Sequence, residues 1–290
     1  MDRYPTYPET SPNSTLNCRG TLLSLDIPQV MGILNLTPDS FSDGGKYNRM
    51  DVALAHTEVM LQEGASIVDI GGYSSRPGAI DISPQEELGR ITDITAAVLE
   101  KFPEAVVSVD TFRAEVAREM LALGVHIVND ISGGGADPEM YGVVADAGAP
   151  YILMHMQGRP QNMQKNPQYE DVIGDLWAYF SERLQLARAA GITDIVLDPG
   201  FGFGKSLSHN YELFRNLHKF NLLEVPILVG ISRKSMIYKL FDAQPDEVLD
   251  LTTALHLKAL EMGARLLRVH DVKAAVRAVQ MYRYLNHGVI

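Results

Sequence analysis

A chain of 290 residues, 46% hydrophobic and 21% charged, has enough apolar content for a sizeable core without any covalent staple. Its single cysteine, Cys18, excludes an internal disulfide and a cysteine-built zinc cage. A net charge of −11 argues against a general nucleic-acid or anionic-membrane surface, and with no run of about 18 apolar residues the chain is expected in the cytoplasm.

Residues 1–17, "MDRYPTYPETSPNSTLN", hold too little apolar content to pack, so they are expected to form a loose arm ahead of one domain over 18–290. "GTLLSLDIPQ" follows and could make a short hairpin across one end of that domain. From about residue 30, short aliphatic runs alternate with longer segments of helical period. The runs are "VMGILNL" (30–36), "SIVDIGG" (66–72), "AVVSVD" (105–110), "HIVNDIS" (126–132), "YILMH" (151–155), "DIVLDPG" (194–200), "ILVGIS" (227–232) and "LLRVH" (266–270). Between them lie segments such as "FRAEVAREMLALG", in which apolar positions recur at three and four and glycine closes the turn. Runs apolar on both faces, separated by helices, predict parallel strands covered by helices. Eight such units predict an α/β fold, a single (β/α)8 TIM barrel, with an open doubly wound sheet as the alternative. The polar segment 156–169, "MQGRPQNMQKNPQY", is expected to be an active-site loop after the fifth run.

In such a barrel chemistry collects where strands end, and there the unusual residues fall. They are Asn35, Asp69 with Arg76 beyond it, Asp110, Asn129 with Asp130, His155, Asp198, "SRKS" (232–235), and Arg268 with His270 and Asp271. Any one of these has a plainer reading: Asp110 and Asp271 as helix N-caps, Asn129 and Asp130 as a turn, His155 as a satisfied core histidine. Eight polar strand ends are hard to explain as eight caps. Asp110, Asn129, Asp198 and Lys234, in a mouth lined by Ile131, Met154 and Phe203, suit a flat heterocycle such as an aminopyrimidine, whose N–H groups need acceptors and whose faces need apolar walls. Asn35, Arg268 and His270 make a second cluster, because closure brings the first and last strands together. Cations beside an amide oxygen suit a pyrophosphate and its Mg2+. The loops "TPDSFSDGGKYN" and "YSSRPGAIDIS" read as lids that carry Asp39 and Arg76 to the reacting groups. "DPGFGFGKS" (198–206) is not a P-loop: the first glycine of that motif falls on Pro199, which has no N–H.

Taken in order, "MGILNLTPDSFSDGG", "DIGGYSSRPGA", "SVDTFRAEVA", "VNDISGG", "DPGFGFGK", "GISRKSMI" and "RVHDV" resemble the dihydropteroate synthase family over residues 30–272, one motif to a strand end. The resemblance implies transfer of the pterin-methyl group of 6-hydroxymethyl-7,8-dihydropterin diphosphate to 4-aminobenzoate, in folate biosynthesis, by Mg2+-assisted dissociative substitution. It implies that Asp110, Asn129, Ile131, Met154, Asp198, Phe203, Gly230 and Lys234 bind the pterin. Asn35, Arg76, Arg268 and His270 would bind the diphosphate, with Asn35 on the metal. Ser75, Arg76, Pro77, Phe203, Lys234 and Ser235 would line the aminobenzoate site, where sulfonamides compete. Catalysis would fall to Asp110, Arg268, His270, Lys234, Arg76 and Asp39, in a homodimer.

Two positions depart from the family: Tyr73 stands where Glu is usual, and Ser75 where Thr is frequent. Both lie in the second lid, so the departure bears on loop closure or inhibitor contacts and not on the pterin pocket. A corrinoid-linked pterin methyltransferase, a non-catalytic pterin-binding barrel and a metal hydrolase are the rival readings. The first has no use for "SRKS" or the diphosphate cluster. The second would be expected to lose lid or diphosphate residues. The third wants several histidines at strand ends, where only His155 and His270 stand.

Overall fold

The computed structural model describes residues 15–37, 46–75, 78–158 and 160–287. A hairpin of β1 (Thr15–Cys18) and β2 (Thr21–Ser24) precedes eight parallel strands: β3 (Gln29–Asn35), β4 (Ile67–Gly71), β5 (Val106–Asp110), β6 (Ile127–Asp130), β7 (Tyr151–Met154), β8 (Ile195–Asp198), β9 (Ile227–Val229) and β10 (Ala264–Val269). They pair in chain order, and β10 lies beside both β9 and β3, which closes the barrel. Around it run α1 (Lys46–Gln62), α2 (Pro84–Lys101), α3 (Ala114–Leu123), α4 (Met140–Ala147), α5 (Val172–Ala189), α6 (Leu207–Arg215), α7 (Ser235–Tyr238), α8 (Leu249–Glu261) and α9 (Val272–His287). The predicted TIM barrel is the observed one. No helix among the described residues is long and apolar enough to cross a membrane.

Strand alternation decides what each residue meets. Met31, Ile67, Val106, Ile127, Ile152, Val196, Leu228 and Leu266, one from each barrel strand, form a buried interior layer together with Leu16, Cys18 and Leu25 from the hairpin region. Burying an aliphatic side chain of this kind stabilises by about 1.5–3 kcal/mol, and Ile127→Ala would open a cavity there at about 2–5 kcal/mol. Residues of opposite parity, among them Val68, Val107, Val128, Leu197 and Val229, pack outward beneath the helices. Two positions past the apolar layer most of the inward residues are polar, namely Asp69, Ser108, Asn129, Asp198 and Arg268, with Ile33, Met154 and Gly230 between them. The same period therefore builds a core at one end of the barrel and a polar mouth at the other.

The hairpin seals the apolar end. Its turn uses Arg19 and Gly20, both at positive φ, and Arg19 Nη1 donates to the Leu121 and Val125 carbonyls at 2.6 and 3.0 Å. Pairing begins at Thr15, with Leu16 buried, so residues 15–17, counted with the arm by composition, belong to the folded unit. The first 14 residues of the expected arm lie outside the described residues.

Candidate active site

At the polar end of the barrel, register brings Asn35, Gly71, Asp110 and Asn129 side by side across β3 to β6. Arg268 reaches in from β10: its Nε donates to Asp69 Oδ2 at 2.7 Å and its Nη2 to Asp110 Oδ2 at 2.6 Å. Asp69 is fully buried, and the same oxygen accepts from Asn129 Nδ2 at 3.1 Å. Asp110 and Arg268 each keep 18% of their side-chain surface exposed, toward the mouth. Burial pushes Asp110 up to about 7; Arg268 opposes the shift, and Asp69 reinforces it. Burial disfavours the Arg268 cation, but Asp69 and Asp110 outweigh it and hold the guanidinium above its ordinary range. Gly230 leaves room between Asp198 and Arg268, where a Cβ would come within 3.9 Å of Asp198 Oδ2 and 3.8 Å of Arg268 Cβ.

Asp198 and Lys234 form the other side. Asp198 Oδ1 accepts from the Gly200 N–H at 2.7 Å, and burial raises its proton affinity against the pull of Lys234. Burial lowers Lys234 to about 8, with Asp198 opposing. Its Nζ donates to the Phe201 carbonyl and sits 4.4 Å from the Phe203 ring centre. Ile131 and Met154 are buried, and Met154 lies opposite Asp198 in the register of β7 and β8. Ser235 opens α7, directly after Lys234. His270 bonds Ser232 Oγ through its backbone N–H at 3.2 Å, and Arg233 forks onto Asp271 at 2.6 and 3.0 Å, tying "SRKS" to the end of β10.

In the second loop, Ser75 is half-buried beside the buried Tyr73. Tyr73 Oη donates to Asp81 at 3.1 Å and accepts from Gln161 at 2.6 Å. Its ring meets Phe112 edge-on at 4.9 Å. One phenol thus joins the loops after β4, β5 and β7. The expected positions of Asp39, Arg76 and Pro77 lie outside the described residues.

Several strand-end residues take plainer roles. Asp130 faces outward and accepts from Ser132 N, Gly134 N and Tyr151 Oη at 2.7, 2.8 and 2.6 Å, so it holds a turn. His155 is a satisfied core histidine: it is buried, lies 3.0 Å from Lys205 Nζ, and is lowered to about 2 by burial and that lysine. Asp110 is no cap, since α3 starts at Ala114, whose N–H donates to Asp137. Two residues received no role from sequence. Asp69 stood in the list of strand ends, and its even spacing from Ile67 was the available signal. Lys205 closes "DPGFGFGK", but its partner His155 is 50 positions away.

The chain matches the family described as pterin binding enzyme over residues 31–270. It is 46% identical to the dihydropteroate synthase of Escherichia coli K12 across 92% of this chain and 94% of that one. The Yersinia pestis dihydropteroate synthase, solved with a sulfonamide drug complex, superposes with a TM-score of 0.88 at 45% identity, covering 93% of this chain and 98% of its own. The Xanthomonas albilineans dihydropteroate synthase, solved with 4-aminobenzoic acid, gives 0.88 at 40% identity, covering 95% and 99%.

Proposed function

The chain belongs to the dihydropteroate synthase family of pterin-binding enzymes, and from that premise we propose how its residues divide the reaction. The transfer forms a bond between the amine nitrogen of 4-aminobenzoate and the methylene carbon of the dihydropterin. The bond from that carbon to the diphosphate oxygen breaks, its electron pair leaves with pyrophosphate, and the amine gives up one proton. In our reading the C–O bond breaks first, because the electron-rich dihydropterin ring shares the positive charge left on the methylene. An arylamine is neutral near pH 7, so no strong base is needed to activate it.

Asp110, Asn129, Asp198 and Lys234 hold the pterin between Ile131, Met154 and Phe203, with Gly230 leaving the space it fills. The observation that carries this assignment is the convergence of Asp69, Asp110 and Asn129 with Arg268 in one mouth. Asp110 faces the cationic pterin, while Arg268 and His270, with Arg76, draw negative charge onto the leaving diphosphate. Ser75, Arg76, Pro77, Phe203, Lys234 and Ser235 receive 4-aminobenzoate, and Asp39 and Arg76 complete the site from the two lids.

The donor set fits Mg2+. Mg2+ keeps several waters and takes one or two protein oxygens plus substrate phosphates, and the Asn35 amide, beside Gly71 and Asp110 in the register of the strands, is a hard oxygen donor of that kind. Asn35 would supply that oxygen, and the bound ion would neutralise the diphosphate. We place the enzyme in the cytoplasm as a homodimer. On α9, Val272, Ala275, Ala278 and Val279 face the barrel, while Met281, Tyr284 and Leu285 are exposed and available to a second copy. Sedimentation equilibrium tests the assembly.

The deciding assay measures pyrophosphate release from the dihydropterin diphosphate with Mg2+, with and without 4-aminobenzoate, and identifies the pterin product by mass. Aminobenzoate-dependent dihydropteroate is the expected result. Tight pterin binding without turnover would make the chain a non-catalytic pterin barrel.

A further inference from the structure

Lys205 is 3% exposed, and among the described residues its Nζ meets carbonyl oxygens and a histidine nitrogen with no carboxylate in contact. Its Nζ meets Gly200 O at 2.9 Å, His155 Nδ1 at 3.0 Å, Phe203 O at 3.1 Å and, at a longer 3.4 Å, His155 O. An ammonium has three N–H donors, so the three shorter contacts can use all of them. Burial and Lys205 keep His155 neutral, and when Lys205 carries its proton, Nδ1 accepts from it and Nε2 bears the ring hydrogen. The Lys205 and Asn210 backbone and side-chain groups close the turn behind it, with Asn210 Nδ2 donating to Lys205 O at 3.3 Å and Asn210 Oδ1 accepting from Gly202 N at 2.7 Å.

The loop needs such a centre. Gly200, Gly202 and Gly204 all have positive φ, and a Cβ at Gly200 or Gly204 would collide with the carbonyl oxygens of His155 or Gln157. Pressed flush against that backbone, the loop turns Gly200 O and Phe203 O toward the Lys205 ammonium. Gly200 O also accepts from the Phe203 N–H at 3.1 Å, so Lys205 supplies its second bond and joins it to Phe203 O. Phe201 O points the other way and accepts from Lys234. Two lysines therefore share one loop: Lys205 gathers its inner carbonyls, and Lys234 takes the one at the mouth.

We propose that Lys205 is a positioning residue of the pterin site, fixing the 199–205 loop so that Phe201 O and the Phe203 ring hold Lys234 in place and the Gly200 N–H holds Asp198. This role rests on the reading that Asp198 and Lys234 bind the pterin. Charge acts in the same direction. Lys205 is lowered to about 7 by burial, with Asp198 opposing and Lys234 adding to the shift. In return its positive charge helps keep Asp198 ionised, as do Lys234 and Arg268. The titratable groups facing Lys205 are His155 after β7, Asp198 on β8 and Lys234 ahead of α7. Tyr169, in the loop after β7, bonds the adjacent Gly204 O at 2.8 Å, and His209 on α6 stands beyond its ring.

The test is Lys205→Met, which keeps the chain length and removes the donors. The variant should raise KM for the dihydropterin diphosphate about tenfold with kcat changed less than about threefold. In an Asp110→Asn background, which removes the limb belonging to Asp110, the acid limb of kcat/KM that remains should move to higher pH, because Asp198 has lost a cation. If Lys205→Met does not fold, KM alone is read on His155→Leu, which removes one acceptor and keeps the Lys205 charge. A lowered melting temperature with KM and the acid limb unmoved overturns the proposal and leaves Lys205 a purely structural residue. Asp198→Asn is measured alongside: if it binds the pterin as tightly as the parent, the assignment of the site fails, and not the role of Lys205.

Discussion

Arg268 on β10 donates to Asp110 on β5 at 2.6 Å, while its Nε donates to Asp69 at 2.7 Å. One guanidinium therefore joins the residues assigned to the diphosphate to those assigned to the pterin. An arriving diphosphate competes with two carboxylates for the same donors, and its claim strengthens as negative charge develops on the leaving oxygen. Arg268→Lys keeps the charge and loses the fork. Turnover should fall about 10²-fold or more, and KM for the dihydropterin diphosphate should rise. Steady-state kinetics in both substrates checks this; a loss under about tenfold would show that charge alone suffices.

Asp110 supplies a pH dependence whose sign follows from its surroundings. Burial lifts it to about 7, and only the carboxylate can oppose positive charge on the pterin. As pH falls through that value the group takes a proton, and kcat/KM should fall with it. Asp110→Asn should lose that acid limb and more than about tenfold in turnover. An unchanged pH profile in the variant would assign the limb to another group.

The barrel was legible because strand parity and helical period both survive in the sequence, and because glycine or polar residues mark each strand end. Parity also separates residues that the strand-end pattern treated alike. Asn129, even-spaced from Ile127, points inward, whereas Asp130 points outward and caps a turn. His155 follows inward-facing Met154, so it lies outside the mouth. Contacts made across long separations were not legible. Nothing local in "DPGFGFGK" reveals that Lys205 bonds a histidine 50 residues earlier, and nothing in "GGYSSRPG" shows that Tyr73 reaches Gln161, 88 residues on.

Tyr73 offers a direct test of the second lid. Its hydroxyl links Asp81 and Gln161 at 3.1 and 2.6 Å, and Arg113 lies 5.1 Å from its ring centre. Tyr73→Phe removes both hydrogen bonds and keeps the ring packed on Phe112. At about 0.5–1.5 kcal/mol for each bond, KM for 4-aminobenzoate should rise roughly threefold to tenfold. KM for the dihydropterin diphosphate should stay put, since the phenol lies outside the pterin cluster. Sulfonamide inhibition should weaken in parallel with aminobenzoate. Equal rises in both KM values would place Tyr73 in the fold of the mouth as a whole.

His256 on α8 tests stability independently of catalysis. It is 3% exposed, and neither ring nitrogen has a hydrogen-bond partner among the described residues. Burial lowers it from 6.5 to about 4, with Asp271 offsetting part of the shift. Between these values the unfolded chain binds a proton that the folded chain refuses. The contribution of His256 is therefore present in full above pH 6.5 and is lost as pH falls toward about 4. At about pH 5 the loss is roughly 2 kcal/mol. His256→Leu removes the titration and fills the site with an apolar group that needs no partner, so the variant should lose less stability than the parent on moving from about pH 7 to about pH 5. Urea unfolding at both pH values measures the difference. His155, lowered to about 2 for the same reason, stays in both proteins and cancels. Equal acid losses in parent and variant would mean that water reaches the His256 ring and lets it protonate in place.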